Sequence, residues 1–175
     1  SCLTSRQQNR WSLETHRCLM DQVTRNLTYV CVDYEIVGIP QSVEPTELVT
    51  EIFEAKGALI VSHESALVAC FDDPANAVEA AVVAQWRTQR DINDPGRKMR
   101  VGIHLGDLSQ ALAVLGCSNG NQIVFSGQID AETGGTLDAR PMVRAQLWPD
   151  AEPVQLWLST DSRPDIDGRP LRLAT

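Results

Sequence analysis

Four residues able to bind metals or move protons lie in two short stretches. Asp33 and Glu35 sit in LTYVCVDYEIV, and His63 and Glu64 sit in GALIVSHESALVACF. The second stretch reads as two apolar strands joined by the turn His63-Glu64-Ser65-Ala66, which contains no glycine. If that hairpin pairs beside the first strand, an imidazole and several carboxylates converge, a set that can hold a divalent cation. The spacing matches no recognised ligand pattern, and solvated strand ends account for the same residues. Ser65 next to His63 looks like a nucleophile with a base, but no third group orients the pair. His104, inside the apolar run RVGIHLG, reads as a packed, hydrogen-bonded core histidine. The five cysteines, at 2, 18, 31, 70 and 117, form no CxxC pair, which disfavours zinc. Cys31 and Cys70 fall in apolar strands and read as small hydrophobes, and an odd, scattered set suits a reducing compartment.

The elements that must position these residues follow from the pattern. LTYVCVDYEIV is rich in β-branched and aromatic types and reads as a buried strand ended by Gly38 and Pro40. Glu44-Pro45-Thr46 opens a helix that Gly57 closes. ALIVS and ALVACF form the hairpin. Asp73 and Pro74 start an amphipathic helix, ANAVEAAVVAQWRTQRDI, whose apolar positions Ala77, Val78, Ala81, Val82, Gln85 and Trp86 recur at three and four. MRVGIHLGD is a strand, SQALAVLGCS a short helix, NQIVFSG a strand and EPVQLWLST a late strand. Residues 127–145 read as loop, and SNGNQ as a turn. The tail from Asp161 reads as extended and partly loose, with LRLA able to add an edge strand.

The order predicts an α+β fold: a ferredoxin-like βαββαβ core with additional C-terminal α/β elements. Right-handed crossovers put both core helices on one face of the sheet. The N-terminal segment, the C-terminal strands or a partner chain must then cover the other face. The expected division is an N-terminal helical segment over 1–25, a main domain over 26–160 and a C-terminal tail over 161–175. Trp148 and Trp157 read as core, with a dimer surface as the rival.

The net charge of −8 argues against general nucleic-acid binding, because an acidic surface repels phosphate backbones. No run of 18 apolar residues exists and no signal peptide is recognisable, so no membrane span is expected and the location expected is cytoplasmic. Asn26-Leu27-Thr28 matches the glycosylation sequon but abuts a strand, and such triplets are common by chance.

Several segments together resemble one family. DYEIVGI is similar to the first-strand motif Phe-Ala-Asp-Ile-Val-Gly-Phe of the class III adenylate and guanylate cyclase catalytic domains. ACFDDPANAVEAAVVAQ resembles their strand and helix after the Gly-Asp-Gly hairpin, RVGIHLGD their Arg-Ile-Gly-Ile-His-Thr-Gly-Glu strand, and EPVQLWLS their closing Glu-Pro-Val strand. LSQALAVLGCSNGNQIVFS matches the length of the segment from Val-Asn-Leu-Ala-Ala-Arg-Leu to Gly-Gln-Ile-Leu-Val-Ser. The resemblance spans roughly 27–160 and implies a cyclase-like fold, with two carboxylate-held cations activating a 3′-hydroxyl for attack on an α-phosphate.

Carried over residue by residue, that machinery is degenerate. The first metal aspartate falls on Glu35, which could still bind a cation. The hairpin aspartate falls on Ser65, flanked by Glu64 and Ala66 where the family has glycines. The purine-recognising lysine falls on Val61, the helix asparagine on Ser109 and the transition-state arginine on Ala113. The hairpin that should follow Thr-Gly-Glu is nearly absent, since Gly106-Asp107 runs straight into Leu108. A neutral hydroxyl cannot replace a carboxylate beside two dications. Each lost electrostatic donor typically costs about 10²–10³ in rate. The resemblance thus implies a non-catalytic cyclase-homology domain with a regulatory, signalling or dimerisation role and no cofactor. It would form a homodimer, or a heterodimer with another cyclase-type domain, and could take a small-molecule ligand. Two alternatives stand beside it. One is a divergent purine nucleotide cyclase using Glu35 and Glu64 with Mg²⁺ or Mn²⁺. The other is a ferredoxin-like ligand-binding module that shares only the fold.

Overall fold

The computed structural model describes residues 26–62, 65–149 and 151–173. The expected N-terminal helix over 1–25 and the turn residues His63 and Glu64 lie outside the described residues. The elements run β1 (Thr28–Ile36), α1 (Thr46–Ala55), β2 (Leu59–Ser62), β3 (Leu67–Phe71), α2 (Pro74–Arg87), β4 (Arg97–Leu105), α3 (Leu108–Cys117), β5 (Gln122–Ser126), α4 (Gly127–Glu132), β6 (Ala139–Ala145) and β7 (Val154–Ser159). A π-helical turn, Thr88–Ile92, extends α2.

One seven-stranded sheet holds every strand of the described residues, in the order β2-β3-β1-β4-β5-β7-β6. The first four strands are the βαββαβ core. β1 lies antiparallel between β3 and β4, and pairs with β4 along its whole length, from Thr28 opposite Leu105 to Ile36 opposite Arg97. β5 joins β4 in parallel through the crossover helix α3. β7 and β6 then extend the sheet antiparallel.

The local chemistry of the helix starts matches the sequence reading. The Asp73 carboxylate accepts the Ala75 N–H at 2.8 Å, with Pro74 in the first turn where its missing N–H costs nothing. Asp107 caps α3, accepting the Ser109 and Gln110 N–H groups at 2.8 and 3.1 Å. That cap is what lets β4 pass directly into α3.

Strand alternation sorts side chains into two layers. Val30 and Val32 of β1, with Phe71, Ile103 and Phe125, meet α1 and α2 through Val49, Phe53, Ala77 and Val82. Tyr29, Cys31, Val68 and Cys70 point to the opposite face, where Ala111 and Leu115 of α3 cover them. The open face expected from the core order is therefore closed by the chain's own third helix. Further along that helix, Val114 and Cys117 pack on Val124, Leu156 and Leu158. Cys31, Cys70 and Cys117 are buried and form no disulfide with one another, and burial alone pushes the Cys31 thiol up to about 12.

Two expectations are corrected. Residues 127–145 are loop only over 133–138: α4 takes Gly127–Glu132 and β6 takes Ala139–Ala145. Ile129 of α4 is fully buried in the main core, and β6 is an edge strand whose ladder shifts between Pro141 and Arg144. An edge tolerates proline because one side of the strand needs no partner. The tail adds no strand among its described residues, and it is not loose. Its Asp167 N–H donates to Asn121 O at 2.9 Å and its Arg172 N–H to Cys117 O at 2.8 Å. Ile166 and Leu171 pack against the α3–β7 cluster. Trp157 is partly buried against the main core, while Trp148 is 38% exposed.

α3 can lie this close to the sheet because β4 has a glycine beneath it. A Cβ on Gly102 would sit 2.8 Å from Leu115 Cβ and overlap the Leu115 backbone. Gly102→Ala should therefore lower stability by about 1–3 kcal/mol as an overpacked contact. Gly116→Ala, on the same helix with open space around it, should be neutral or stabilising by up to about 1 kcal/mol. Urea unfolding of the two variants checks this; equal effects would mean that α3 does not rest on Gly102.

Candidate functional site

The site is built at the open end of β1. Alternation carries Asp33 and Glu35 to the face that holds α3, while Tyr34 turns to the other. Across the ladder, Asp33 faces Arg100 and Glu35 faces Lys98. Asp33 is held in place by Arg100, whose Nε donates to Asp33 Oδ2 at 3.1 Å and whose Nη2 joins the same oxygen. One Asp33 oxygen is thus committed to a guanidinium.

Glu35 is taken from the other side, by the tail. Its Oε2 accepts the Gly120 N–H at 2.8 Å and Arg169 Nη2 at 2.7 Å, and its Oε1 is paired with Arg172 Nη2. The carboxylate side chain is 13% exposed, whereas the two arginines are each 45% exposed. The α3–β5 turn supplies the rest of the seat. Asn119 donates through Nδ2 to Pro170 O at 2.8 Å and accepts Arg172 Nε through Oδ1 at 2.7 Å. Gln122 donates through Nε2 to the carbonyls of Asp167 and Arg169 at 3.0 and 2.7 Å. Both amides are buried. Gly120 is required here: a Cβ would stand 2.7 Å from Glu35 Oε2 and overlap Lys98.

The other carried-over positions do not converge on Glu35. Val61 packs with the Tyr29, Cys31, Cys70, Ala111 and Leu115 cluster, so the lysine position is filled by apolar packing. Ser65 is exposed at the hairpin bend. Ser109 is exposed and its hydroxyl and N–H are both spent on the α3 cap, Asp107. Ala113 lies one turn on, half-buried, while Ala111, Val114 and Leu115 face the sheet. His104 is 2% exposed, and burial pushes its pKa down against the pull of Asp107, so it is a neutral structural histidine. Glu64 lies outside the described residues.

Two hard cations would need several oxygen ligands at one place. Glu35 is the only carried-over carboxylate among the described residues, and its oxygens are already occupied by two guanidinia and an N–H. No three His, Cys, Asp or Glu side chains among the described residues converge on a cation position. The described residues assemble no two-cation centre around Glu35. The sequence reading missed Arg169, Arg172, Asn119 and Gln122. Two arginines three apart in a tail were the available signal, but nothing in the sequence says where a tail returns.

Partial burial raises the Glu35 pKa. The Arg169 hydrogen bond, the Gly120 N–H and the charges of Arg172 and Arg169 outweigh it, so the group stays below its usual 4.5. A depressed carboxyl contributes stability that is fully present above the unfolded value and is lost as pH falls through the folded one. The tail contact should therefore persist through neutral pH and fail only in acid. A ¹³C carboxyl titration should place the Glu35 midpoint below 4.5, and Arg172→Ala should move it upward. A wild-type midpoint at or above 4.5 would contradict the ion pairing.

No protein-family model and no curated protein matches the chain. Its fold does have solved counterparts. An adenylate cyclase from Trypanosoma brucei, solved in the monomeric state, superposes with a TM-score of 0.67 at 17% identity, covering 87% of this chain and 96% of that one. An adenylate/guanylate cyclase/hydrolase from Silicibacter pomeroyi gives 0.65 at 18% identity, over 79% and 98%. The adenylyl cyclase CyaB from P. aeruginosa gives 0.65 at 16% identity, over 82% and 97%. At such identities the likeness is one of fold. The chain has the fold of the adenylate and guanylate cyclase catalytic domains, as its sequence motifs implied.

Proposed function

We propose that this chain is a cyclase-fold domain without cyclase activity of its own, acting as a regulatory, signalling or dimerisation module. The observation that carries this reading is the Glu35 carboxylate. The sequence resemblance assigns it the first metal position, and its oxygens accept hydrogen bonds from Gly120, Arg169 and Arg172. Ser65, Val61, Ser109 and Ala113 support it, since none brings the charge that metal, purine or transition state would need. On this reading no cofactor is required, and the domain works in the cytoplasm. Among the described residues no helix is long and apolar enough to cross a membrane.

A pairing role draws support from the loop after β1. Ile36, Val37, Ile39 and Val43 are 58%, 46%, 86% and 89% exposed, an apolar surface of the kind partners cover. The partner proposed is a second copy or another cyclase-type domain.

Two other readings have specific support. The fold likeness to adenylate and guanylate cyclase domains supports a divergent enzyme equally well, one in which Glu35 and Glu64 would hold the cation. An open cavity of about 270 Å³, lined by Thr88, Gln89, Asn93, Arg97, Lys98 and Asn121, favours a small-molecule binding module.

The purified protein with ATP or GTP and Mg²⁺ or Mn²⁺ should form no cyclic nucleotide above background, and Glu35→Ala should not change that. Turnover that falls 10²-fold or more in Glu35→Ala would establish the enzyme reading instead. For pairing, Ile39→Asp with Val43→Asp should convert a wild-type dimer to monomer in sedimentation velocity. A wild-type protein that stays monomeric at high concentration would remove that role for the loop.

A further inference from the structure

The contacts that hold the tail have the form of a peptide-recognition site occupied from within the same chain. We propose that the groove formed by Glu35, the Asn119–Gln122 turn and the end of α3 is a receptor for an extended arginine-bearing peptide of the type Asp-x-Arg-x-x-Arg. Its resident ligand is the chain's own segment 166–173. The inference goes beyond the catalytic question, because the groove is defined by contacts of this chain whether or not the domain turns over nucleotides.

Three features separate a receptor from ordinary packing of an extended segment. First, the groove reads main chain. Gln122 Nε2 donates to two tail carbonyls, Asn119 Nδ2 to a third, and the Asn121 and Cys117 carbonyls accept the Asp167 and Arg172 N–H groups. This is how binding sites hold an extended segment that has no secondary structure of its own. Second, the side-chain readout is charge-specific. One carboxylate takes both guanidinia, Arg172 Nε is read again by Asn119 Oδ1, and Asp167 braces Arg169 within the ligand through Arg169 Nε at 2.7 Å. A guanidinium presents a rigid fork of donors, which an ammonium cannot reproduce.

Third, burial is asymmetric. Gln122 is fully buried, Asn119 is 5% exposed and the Glu35 side chain 13%, while each arginine is 45% exposed. The receptor side is also braced without the tail: Asn119 N–H and Nδ2 both donate to Gln122 Oε1, at 2.8 and 3.2 Å. Ile166 and Leu171 add apolar anchors at either end. On the proposal, the amides tied to each other form the fixed side and the segment with half-exposed arginines is the part that exchanges. Glu35, at the place of a metal carboxylate, serves as an arginine receptor.

Covalent attachment gives the resident segment an effective concentration in the millimolar range. A peptide supplied in trans must compete with it, so the test loosens the tail. The full chain carrying Arg169→Ala and Arg172→Ala keeps every groove residue. A fluorescein-labelled peptide of residues 161–173 should bind this variant roughly tenfold or more tighter than wild type in fluorescence anisotropy. The same peptide with both arginines replaced by alanine should not bind. Adding Glu35→Gln, which removes the charge that both guanidinia share while keeping the side chain's size, should weaken binding tenfold or more without lowering the unfolding midpoint. A folded double variant that takes up no peptide, or takes up the arginine-free peptide equally, overturns the proposal. If the double variant does not fold, wild type provides the measurement. Excess peptide should speed hydrogen exchange at the Asp167 and Arg172 amides, and unchanged exchange overturns it.

Discussion

A carboxylate with little access to water needs positive partners, and what supplies them decides what it can do. At the open end of β1 that requirement falls on Glu35, 13% exposed in its side chain. Two arginines from residues 161–173 meet it, with one backbone N–H from the α3–β5 turn. Meeting it fixes more than one side chain. The tail must cross the Asn119–Gln122 turn to deliver its guanidinia, and the buried amides of that turn then satisfy the tail's carbonyls. Residue 120 must be glycine for its N–H to approach. The same arrangement leaves no oxygen of Glu35 for a hard cation.

The rest of the same face is apolar. On the α3 side of the sheet, Val61 joins Tyr29, Cys31 and Cys70 in an apolar cluster closed by Ala111 and Leu115. Gly102 lets the helix approach until its backbone lies against the strand. A cleft meant to hold a triphosphate needs cations and oriented donors at the place where charge develops. Ser109 instead spends its polar groups on its own helix cap, and Ala113 has none to offer.

Much of the architecture was legible in the sequence, because it is written in period and punctuation. The alternation in Tyr29–Val32, the three-and-four spacing from Ala77 to Gln85, and the Asp73-Pro74 start are all local signals, and each marks an element that formed. β6 and α4 were not legible. ARPMVRA carries a proline and two arginines, and becomes a strand only because β7 offers it a ladder. The residue types at the carried-over positions were legible, since a serine is not a carboxylate in any fold. The use made of Glu35 was not. Its partners lie 134 and 137 residues away, and no local pattern encodes a return of that length.

The most direct measurement of the central claim is a Mn²⁺ titration of the wild-type protein at neutral pH, followed by electron paramagnetic resonance. The account predicts only weak, non-saturating uptake, the same in Glu35→Ala, because guanidinia already occupy the carboxylate. Saturable Mn²⁺ binding that disappears in Glu35→Ala would contradict it.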